Sequence, residues 1–273
     1  MKRLLTLFVL LSPVIVITAW SSWNDYDSLP PKPEDGFMFF NAADISELPS
    51  LGMLQTALAG YWLLTADQSI KRPEVITIID YSLPSDKERL WVIDLINRKV
   101  LFRCLVSHGR NSGELEAESF SNIPGSNASS PGFYSTGETY LGKHGLSLVL
   151  DGLETGINDN ARVRNIVIHG AEYVSSDFIR THGRLGRSLG CPAVPVDLSK
   201  DIINTIKGGS CLFIYVPNPS YTSNSHIINK ISAITKVSLS QPQVFGLKLP
   251  ALYYLSGKHL FGTVSYPSRQ SRL

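Results

Sequence analysis

With 273 residues, 43% of them hydrophobic and 18% charged, the chain is long enough to bury a sizeable core. Its formal charge of +2 rests on Lys2 and Arg3, since the rest of the sequence balances 23 basic against 23 acidic residues. A near-neutral body without a basic stripe, an aromatic stacking platform or a glycine-rich phosphate loop excludes nucleic acid and nucleotides as expected partners.

Met1, Lys2 and Arg3 precede an apolar run over residues 4–19 that ends in Ile17-Thr-Ala19, the pattern of a secretory signal with a small residue for cleavage. Residues 1–20 are therefore read as a signal peptide or N-terminal anchor that directs the protein to the cell envelope, in the periplasm or the cell-wall space. Sixteen residues are short for a spanning helix, so membrane contact is expected only where this segment is retained. Proline and polar residues over 25–35 predict a flexible spacer, assigned to residues 21–40. Near-helical spacing of apolar residues predicts a helix over 48–64. Strands rich in Val and Ile follow at 74–81 and 89–96, and another at 100–107 after the charged turn Asn97-Arg-Lys, which predicts an antiparallel meander. Residues 111–131 are polar and rich in Ser and Gly, too long for a simple connector, and read as a functional loop.

Further strands are predicted at 133–136, 146–150, 165–169 and 210–216. A short helix is predicted at 175–181 with Ser175 or Ser176 as its N-cap. A longer one at 197–207 carries Leu198, Ile202, Ile203 and Ile206 on one face and stops at Gly208. Past Pro217 the composition changes, and residues 218–273 are set apart as a C-terminal extension of unknown role. Its weakly amphipathic stretch 226–237 reads as a packing helix joined by a strand pair, or as a partner-binding segment. The order of elements predicts an α+β, mostly β domain over 41–217.

Three cysteines are an odd count for an exported chain. Cys104 and Cys211 lie in apolar strand-like runs and read as core thiols, with a disulfide between them as the alternative. Cys191 stands apart in Arg184-Leu-Gly-Arg-Ser-Leu-Gly-Cys-Pro-Ala193. A thiol with a reference pKa of about 8.5 is mostly protonated at neutral pH, so a nucleophilic cysteine needs a base. His169 closes the strand-like Asn165-Ile-Val-Ile-His-Gly170 and can supply one. Gly190 permits a sharp turn, which makes the amides of Gly190 and Cys191 candidate oxyanion donors. Arg184 and Arg187 add positive charge suited to a thiolate or a substrate carboxylate. The competing reading of the same residues is a buried structural thiol in a glycine-rich turn.

His108 and His144, each followed by glycine, are candidate cleft residues or ordinary turn or core histidines. Tyr173, Tyr134 and Arg110 are candidates for substrate contact or for structural duty. His182 is expected to cap the short helix at its C-terminal end, where a partly cationic ring suits the dipole. His169, His182 and Cys191, spaced by 13 and 9 residues, match no compact zinc pattern, and neither a metal nor a cofactor is expected.

Several separated motifs in order carry a resemblance. Val106-Ser-His-Gly-Arg-Asn-Ser-Gly113, Phe120-Ser-Asn-Ile-Pro-Gly-Ser126, Tyr140-Leu-Gly-Lys-His-Gly-Leu-Ser-Leu148, Ile166-Val-Ile-His-Gly-Ala171 and Gly186-Arg-Ser-Leu-Gly-Cys-Pro-Ala-Val194 resemble the L,D-transpeptidase (YkuD-type) catalytic family in its murein transpeptidase-like branch. The likeness runs from about residue 74 to 217. It implies a mixed, sandwich-like β-sheet core with a few attached helices. It also implies His169 as base, the Gly170 carbonyl as the group that orients the imidazole, and Cys191 as nucleophile, with Ser188 and Gly190 matching the Ser-x-Gly-Cys motif. Leu189 stands where the family has His, and Ala193 where it has Arg or Asn. The 22 residues from His169 to Cys191 exceed the commonest spacing. Arg187 or Arg184 is expected to replace the missing charge, and His108, His144 and Tyr173 to line the substrate cleft.

The resemblance implies acyl transfer from a peptidoglycan tetrapeptide stem through a Cys191 thioester, with release of D-alanine. An amine acceptor, from a second stem or from a protein attached to the wall, makes the enzyme a transpeptidase, and water makes it an L,D-carboxypeptidase. A non-catalytic cell-wall binding module and a general cysteine peptidase are the rival readings.

Overall fold

The computed structural model describes residues 40 and 45–240. The predicted signal or anchor, the spacer before Phe40, and the tail after residue 240, with any strand pair there, lie outside the described residues. Eight strands form one mixed sheet in the order β3-β2-β1-β8-β4-β5-β6-β7. They are β1 (Arg72–Asp80), β2 (Leu90–Asp94), β3 (Lys99–Cys104), β4 (Gly132–Gly142), β5 (Gly145–Gly152), β6 (Val167–Gly170), β7 (Ala193–Val194) and β8 (Ser210–Tyr215). The helices are α1 (Leu51–Ala66), α2 (Ser176–His182), α3 (Val196–Ile206), α4 (Pro219–Asn224) and α5 (His226–Ser240). The domain is α+β and mostly β around a mixed sheet, as the sequence predicts.

The meander β1-β2-β3 is antiparallel, whereas β8 joins β1 in parallel and β7 joins β6 in parallel. Ile76, Ile78 and Ile79 of β1 and Cys211 to Ile214 of β8 are buried without alternation. Successive strand residues point to opposite faces, so both faces of these two strands are covered. α1 lies against β1 and β8 with Leu54, Ala57, Leu58 and Tyr61 fully buried. Its Gly60 sits on the Phe133 ring, which stacks on Phe213 at 4.2 Å, and a Cβ there would collide with that ring. α3 packs Ile202, Ile203 and Ile206 toward β1, β5 and β6. Cys104 and Cys211 are buried free thiols, so the alternative disulfide is not formed.

The sequence underestimates β4. Residues 132–136 pair with β8 or β5 in the core, but the strand runs on to Gly142 as a two-stranded arm with β5. That arm has nothing to bury, so Gly137, Glu138 and Thr139 carry no apolar run to betray a strand. Its tip is the turn Gly142-Lys143-His144-Gly145, closed by Gly145 at φ 76°. β7 is too short to register as a pattern, and it is held by its neighbours on both sides, Ser107 and His169. Residues 111–131 form neither helix nor strand, as expected of the long polar loop.

Past Pro217 the chain stays on the fold. Asn218 caps α4 by accepting from the amides of Ser220 and Tyr221, a helix that the polar composition does not announce. Tyr221 OH donates to Glu154 Oε1 at 3.0 Å, the Phe133 amide donates to the same oxygen at 2.8 Å, and Ser225 Oγ donates to Oε2. Burial raises the pKa of this fully enclosed carboxyl, against those hydrogen bonds. α5 then runs along α1 with Ile227 in the core. Among the described residues no helix is long and apolar enough to cross a membrane.

Candidate active site

His169 is the penultimate residue of β6 and is 3% exposed. Its Nδ1 lies 2.9 Å from the Gly170 carbonyl. A carbonyl only accepts, so Nδ1 carries the hydrogen and Nε2 keeps the lone pair. Among the described residues nothing hydrogen-bonds to Nε2. Burial lowers the imidazole pKa; the Gly170 carbonyl works the other way, and His144 and Lys143 reinforce the lowering. The side chain is therefore a neutral base with one nitrogen free.

β7 lies parallel to β6 with Ala193 opposite His169, which puts Cys191 beside Val167, two residues earlier. The Val167 amide donates to Sγ at 3.5 Å, and Sγ in turn donates to the Asn165 carbonyl at 3.6 Å. Asn165 turns this carbonyl toward the sulfur from a left-handed conformation, φ 56°, which asparagine tolerates better than most residues. The thiol is half-buried, and burial raises its pKa against the Val167 amide, the Arg164 guanidinium and the Lys143 ammonium. Among the described residues no hydrogen bond joins Sγ to the His169 ring. Thiol and imidazole are thus both uncharged, the imidazole on β6 and the thiol in the turn that leads into β7.

The turn before Cys191 is stitched from three sides. Ser188 Oγ donates to the Cys191 carbonyl at 2.6 Å and accepts from the Gly190 amide at 3.0 Å. Of the two amides read as oxyanion donors, that of Gly190 is therefore taken by Ser188, whereas the Cys191 amide has no acceptor among the described residues. Ser188 also pairs through its backbone with His108 and Arg110. Ser129 Oγ accepts from the Gly109 amide at 3.0 Å and donates to the Gly190 carbonyl at 3.1 Å. Gly109 and Gly190 pass so closely that a Cβ on Gly109 would stand 2.9 Å from the Gly190 Cα and 2.6 Å from the Asn127 carbonyl.

The remaining candidates part company. His144, at the tip of the β4–β5 arm, stacks on His169 with ring centroids 4.4 Å apart and planes at 22°. Tyr173 packs on Gly186 and is half-buried, and burial pushes its hydroxyl up to about 12. Arg184 and Arg187 converge on Glu114, at 2.9 and 2.6 Å, rather than on Cys191. Arg187 also donates to the Gly113 carbonyl at 3.1 Å, which ties both guanidinia to the 110–114 turn.

His108 is not a cleft residue. It is 0% exposed, Arg89 Nη2 donates to its Nδ1 at 2.8 Å, and its Nε2 donates to the Gly113 carbonyl at 3.2 Å. Burial, then the Arg89 charge, takes its pKa down to about 4. Tyr134 is likewise a core residue with its hydroxyl on the Ser130 carbonyl. His182 stacks on Phe178 and bonds its carbonyl at 3.1 Å, the helix-end role expected of it. Among the described residues no group of three His, Cys, Asp or Glu side chains is placed to hold a metal ion.

Arg89, Lys143, Ser129 and Arg164 also shape the site. Nothing local singles them out, because each acts on a partner in another segment.

The family model described as the L,D-transpeptidase catalytic domain (YkuD_2) matches residues 47–215. Solved structures similar in part include an L,D-transpeptidase from Mycobacterium smegmatis, at 12% identity and TM-score 0.34, covering 52% of this chain and 59% of that one. L,D-transpeptidase 3 from Mycobacterium tuberculosis is similar at 10% identity and TM-score 0.34, covering 52% and 61%. The helical cell shape determining protein Pgp2 from Campylobacter jejuni is similar at 14% identity and TM-score 0.37, covering 71% and 66%. Likenesses of this size say nothing of the chemistry, and the chain spans about 59% of the length of the first of them. No curated protein matches. The family match extends over more than half of the chain and contains His169, Gly170 and the Cys191 turn, and on that ground the chain belongs to the L,D-transpeptidase catalytic domain family.

Proposed function

We propose that the protein is a cysteine-dependent L,D-transpeptidase of the cell envelope that acts on peptidoglycan stem peptides, with residues 41–217 as its catalytic domain. The observation that carries this reading is the His169 tautomer. With Nδ1–H committed to the Gly170 carbonyl at 2.9 Å, the free Nε2 is the only ring atom left to take a proton, and Cys191 sits in the turn that leads into the adjoining strand β7.

In the proposed reaction Nε2 accepts the thiol proton as substrate arrives, and the thiolate attacks the carbonyl that links diaminopimelate to the terminal D-alanine. The Cys191 amide holds the oxyanion, joined by Gly190 once Ser188 Oγ releases its amide. The tetrahedral intermediate collapses, D-alanine leaves with the proton from His169, and a thioester remains on Cys191. An acceptor amine, from a second stem or a wall-attached protein, gives up its proton to His169 and takes the acyl group. Water in that place yields the carboxypeptidase outcome. Tyr173, His144 and the arginine pair flank the substrate, and a substrate carboxylate that uses Arg184 or Arg187 must displace Glu114.

Muropeptide tetrapeptide incubated with the protein and with its Cys191→Ala variant, followed by mass spectrometry, tests the reading. Loss of D-alanine with the wild type alone is expected, and dimer against tripeptide then separates transpeptidase from carboxypeptidase. Unchanged tetrapeptide in both samples would move the reading to a non-catalytic wall-binding module, for which the departures at Leu189 and Ala193 are the motive.

A further inference from the structure

We propose that Arg164 is the positioning residue that poises Cys191 for ionisation, by holding a fixed, unneutralised positive charge behind the nucleophile turn. This rests on the reading of Cys191 as nucleophile. Arg164 Nη1 donates to the Ser121 carbonyl at 2.7 Å and to Ser130 Oγ; Nη2 donates to the Ala128 carbonyl at 2.5 Å and to Ser126 Oγ at 3.2 Å. All four acceptors are neutral, and among the described residues no carboxylate pairs with this guanidinium. Arg162, two residues earlier, shows the contrast: it lies exposed and binds both Glu138 and Asp151. A surface arginine spends its charge on carboxylates, whereas Arg164 keeps its charge and is only half-exposed.

The charge is aimed at the nucleophile. Arg164 Nη2 stands 3.3 Å from where a Gly190 Cβ would be, packed against the residue before Cys191. The chain that leaves Arg164 supplies the Asn165 carbonyl and the Val167 amide, the two groups that hold Sγ. Its side chain and its backbone therefore grip opposite ends of one turn, and the 121–130 loop fastens the guanidinium in place. The groups that face Cys191 are Arg164, Lys143 and His169, with the Tyr173 and Tyr81 phenols. Lys143 is exposed at the tip of the arm and is screened by solvent, which leaves Arg164 as the rigid charge. A cation beside a half-buried thiol favours the thiolate and offsets its desolvation. The same charge persists when His169 hands its proton on, so the thiolate leaving group of the second acyl transfer is stabilised too.

The test is the rate of Cys191 alkylation by iodoacetamide against pH, resolved by peptide mass spectrometry in the full-length protein, for wild type, Arg164→Gln and Arg164→Lys. Glutamine keeps donors for the loop and removes the charge; lysine restores the charge without the four-fold grip. The midpoint is expected to rise by about one pH unit in Arg164→Gln, with roughly tenfold slower alkylation at pH 7, and to fall between the two in Arg164→Lys. A wild-type midpoint in Arg164→Gln overturns the proposal, as does a lysine variant no lower than the glutamine one. Should Arg164→Gln fail to fold, a midpoint raised by about one pH unit or more in Arg164→Lys, which keeps the charge, overturns it. D-alanine release by the wild-type protein separates the two levels. Release with an unmoved midpoint sinks the role of Arg164 alone, whereas no release sinks the reading of Cys191 beneath it.

Discussion

Two His-Gly pairs flank the same short strand. Ser107, next to His108-Gly109, bridges Ala193 of β7 from one side, and His169 of His169-Gly170 pairs with the same Ala193 from the other. The two histidines are nearly equally buried, yet their ring nitrogens have opposite fates. His108 gives up both, one to Arg89 and one to the Gly113 carbonyl, and has nothing left with which to take a proton. His169 spends only Nδ1 on the Gly170 carbonyl. A His-Gly pair beside β7 is therefore not in itself able to take a proton; the unspent nitrogen is what distinguishes one. The first pair instead anchors the loop that shapes the Cys191 turn, through Gly109 against Gly190.

Exchanging the two roles by mutation is the strongest way to break this contrast. His169→Gln is expected to cut D-alanine release by about a thousandfold, since a positioned acid–base group contributes about 10² to 10⁴. A folded His108→Asn variant, whose Oδ1 can still accept from Arg89, is expected to keep most of that activity. Equal losses in the two folded variants would erase the distinction. Next in size is Arg89→Met, which leaves the Val106 and Leu83 carbonyls without their buried donors. It is expected to cost about 3 kcal/mol at pH 7 by chemical denaturation. A cost below about 1 kcal/mol would mean that water satisfies those carbonyls and that His108 is not held by Arg89.

A pH series sharpens the contrast further. With its pKa down to about 4 in the folded protein, His108 takes up a proton in the unfolded chain first, as pH falls below about 6.5. Stability linked to His108 therefore falls between about pH 6.5 and pH 4 and levels off below, by about 3 kcal/mol in all. Buried Asp80 and Glu154, with raised pKa values, slope the other way, so the quantity to measure is the wild-type minus His108→Asn difference. A flat difference across that window would refute the neutral, arginine-capped ring. The smallest expected effect is that of His144→Ala. Loss of an aromatic stack worth about 0.5–1.5 kcal/mol predicts about two- to thirteenfold slower turnover, and His144→Phe should recover most of it. Failure of phenylalanine to recover activity would assign His144 a proton or a substrate contact in place of stacking.

Much of the frame is legible before any coordinates. Alternating and continuous apolar runs place the meander, β6 and β8, and α3 announces itself by Leu198, Ile202, Ile203 and Ile206. The Gly-rich setting of Cys191 and the strand that carries His169 single out both candidate residues. What stays hidden has a common cause. Lys143 and His144 reach His169 only because β4 and β5 leave the core as a paired arm, and the pairing is encoded in register rather than in hydrophobicity. Glu114 claims Arg184 and Arg187 from about 70 residues away, so two arginines beside a cysteine in the sequence are not beside it in charge.

By itself, the sequence determined the types and order of the elements, the identity of the lone non-core thiol and the strand end that carries a histidine, because propensity, periodicity and turn chemistry act over a few neighbouring residues. Only the tertiary structure decided which histidine keeps a free nitrogen, which amide in the turn is unspent and which arginine lies against Gly190. Hydrogen bonds and charges are settled between segments that the fold brings together, and a buried polar group takes whatever partner the packing puts within reach.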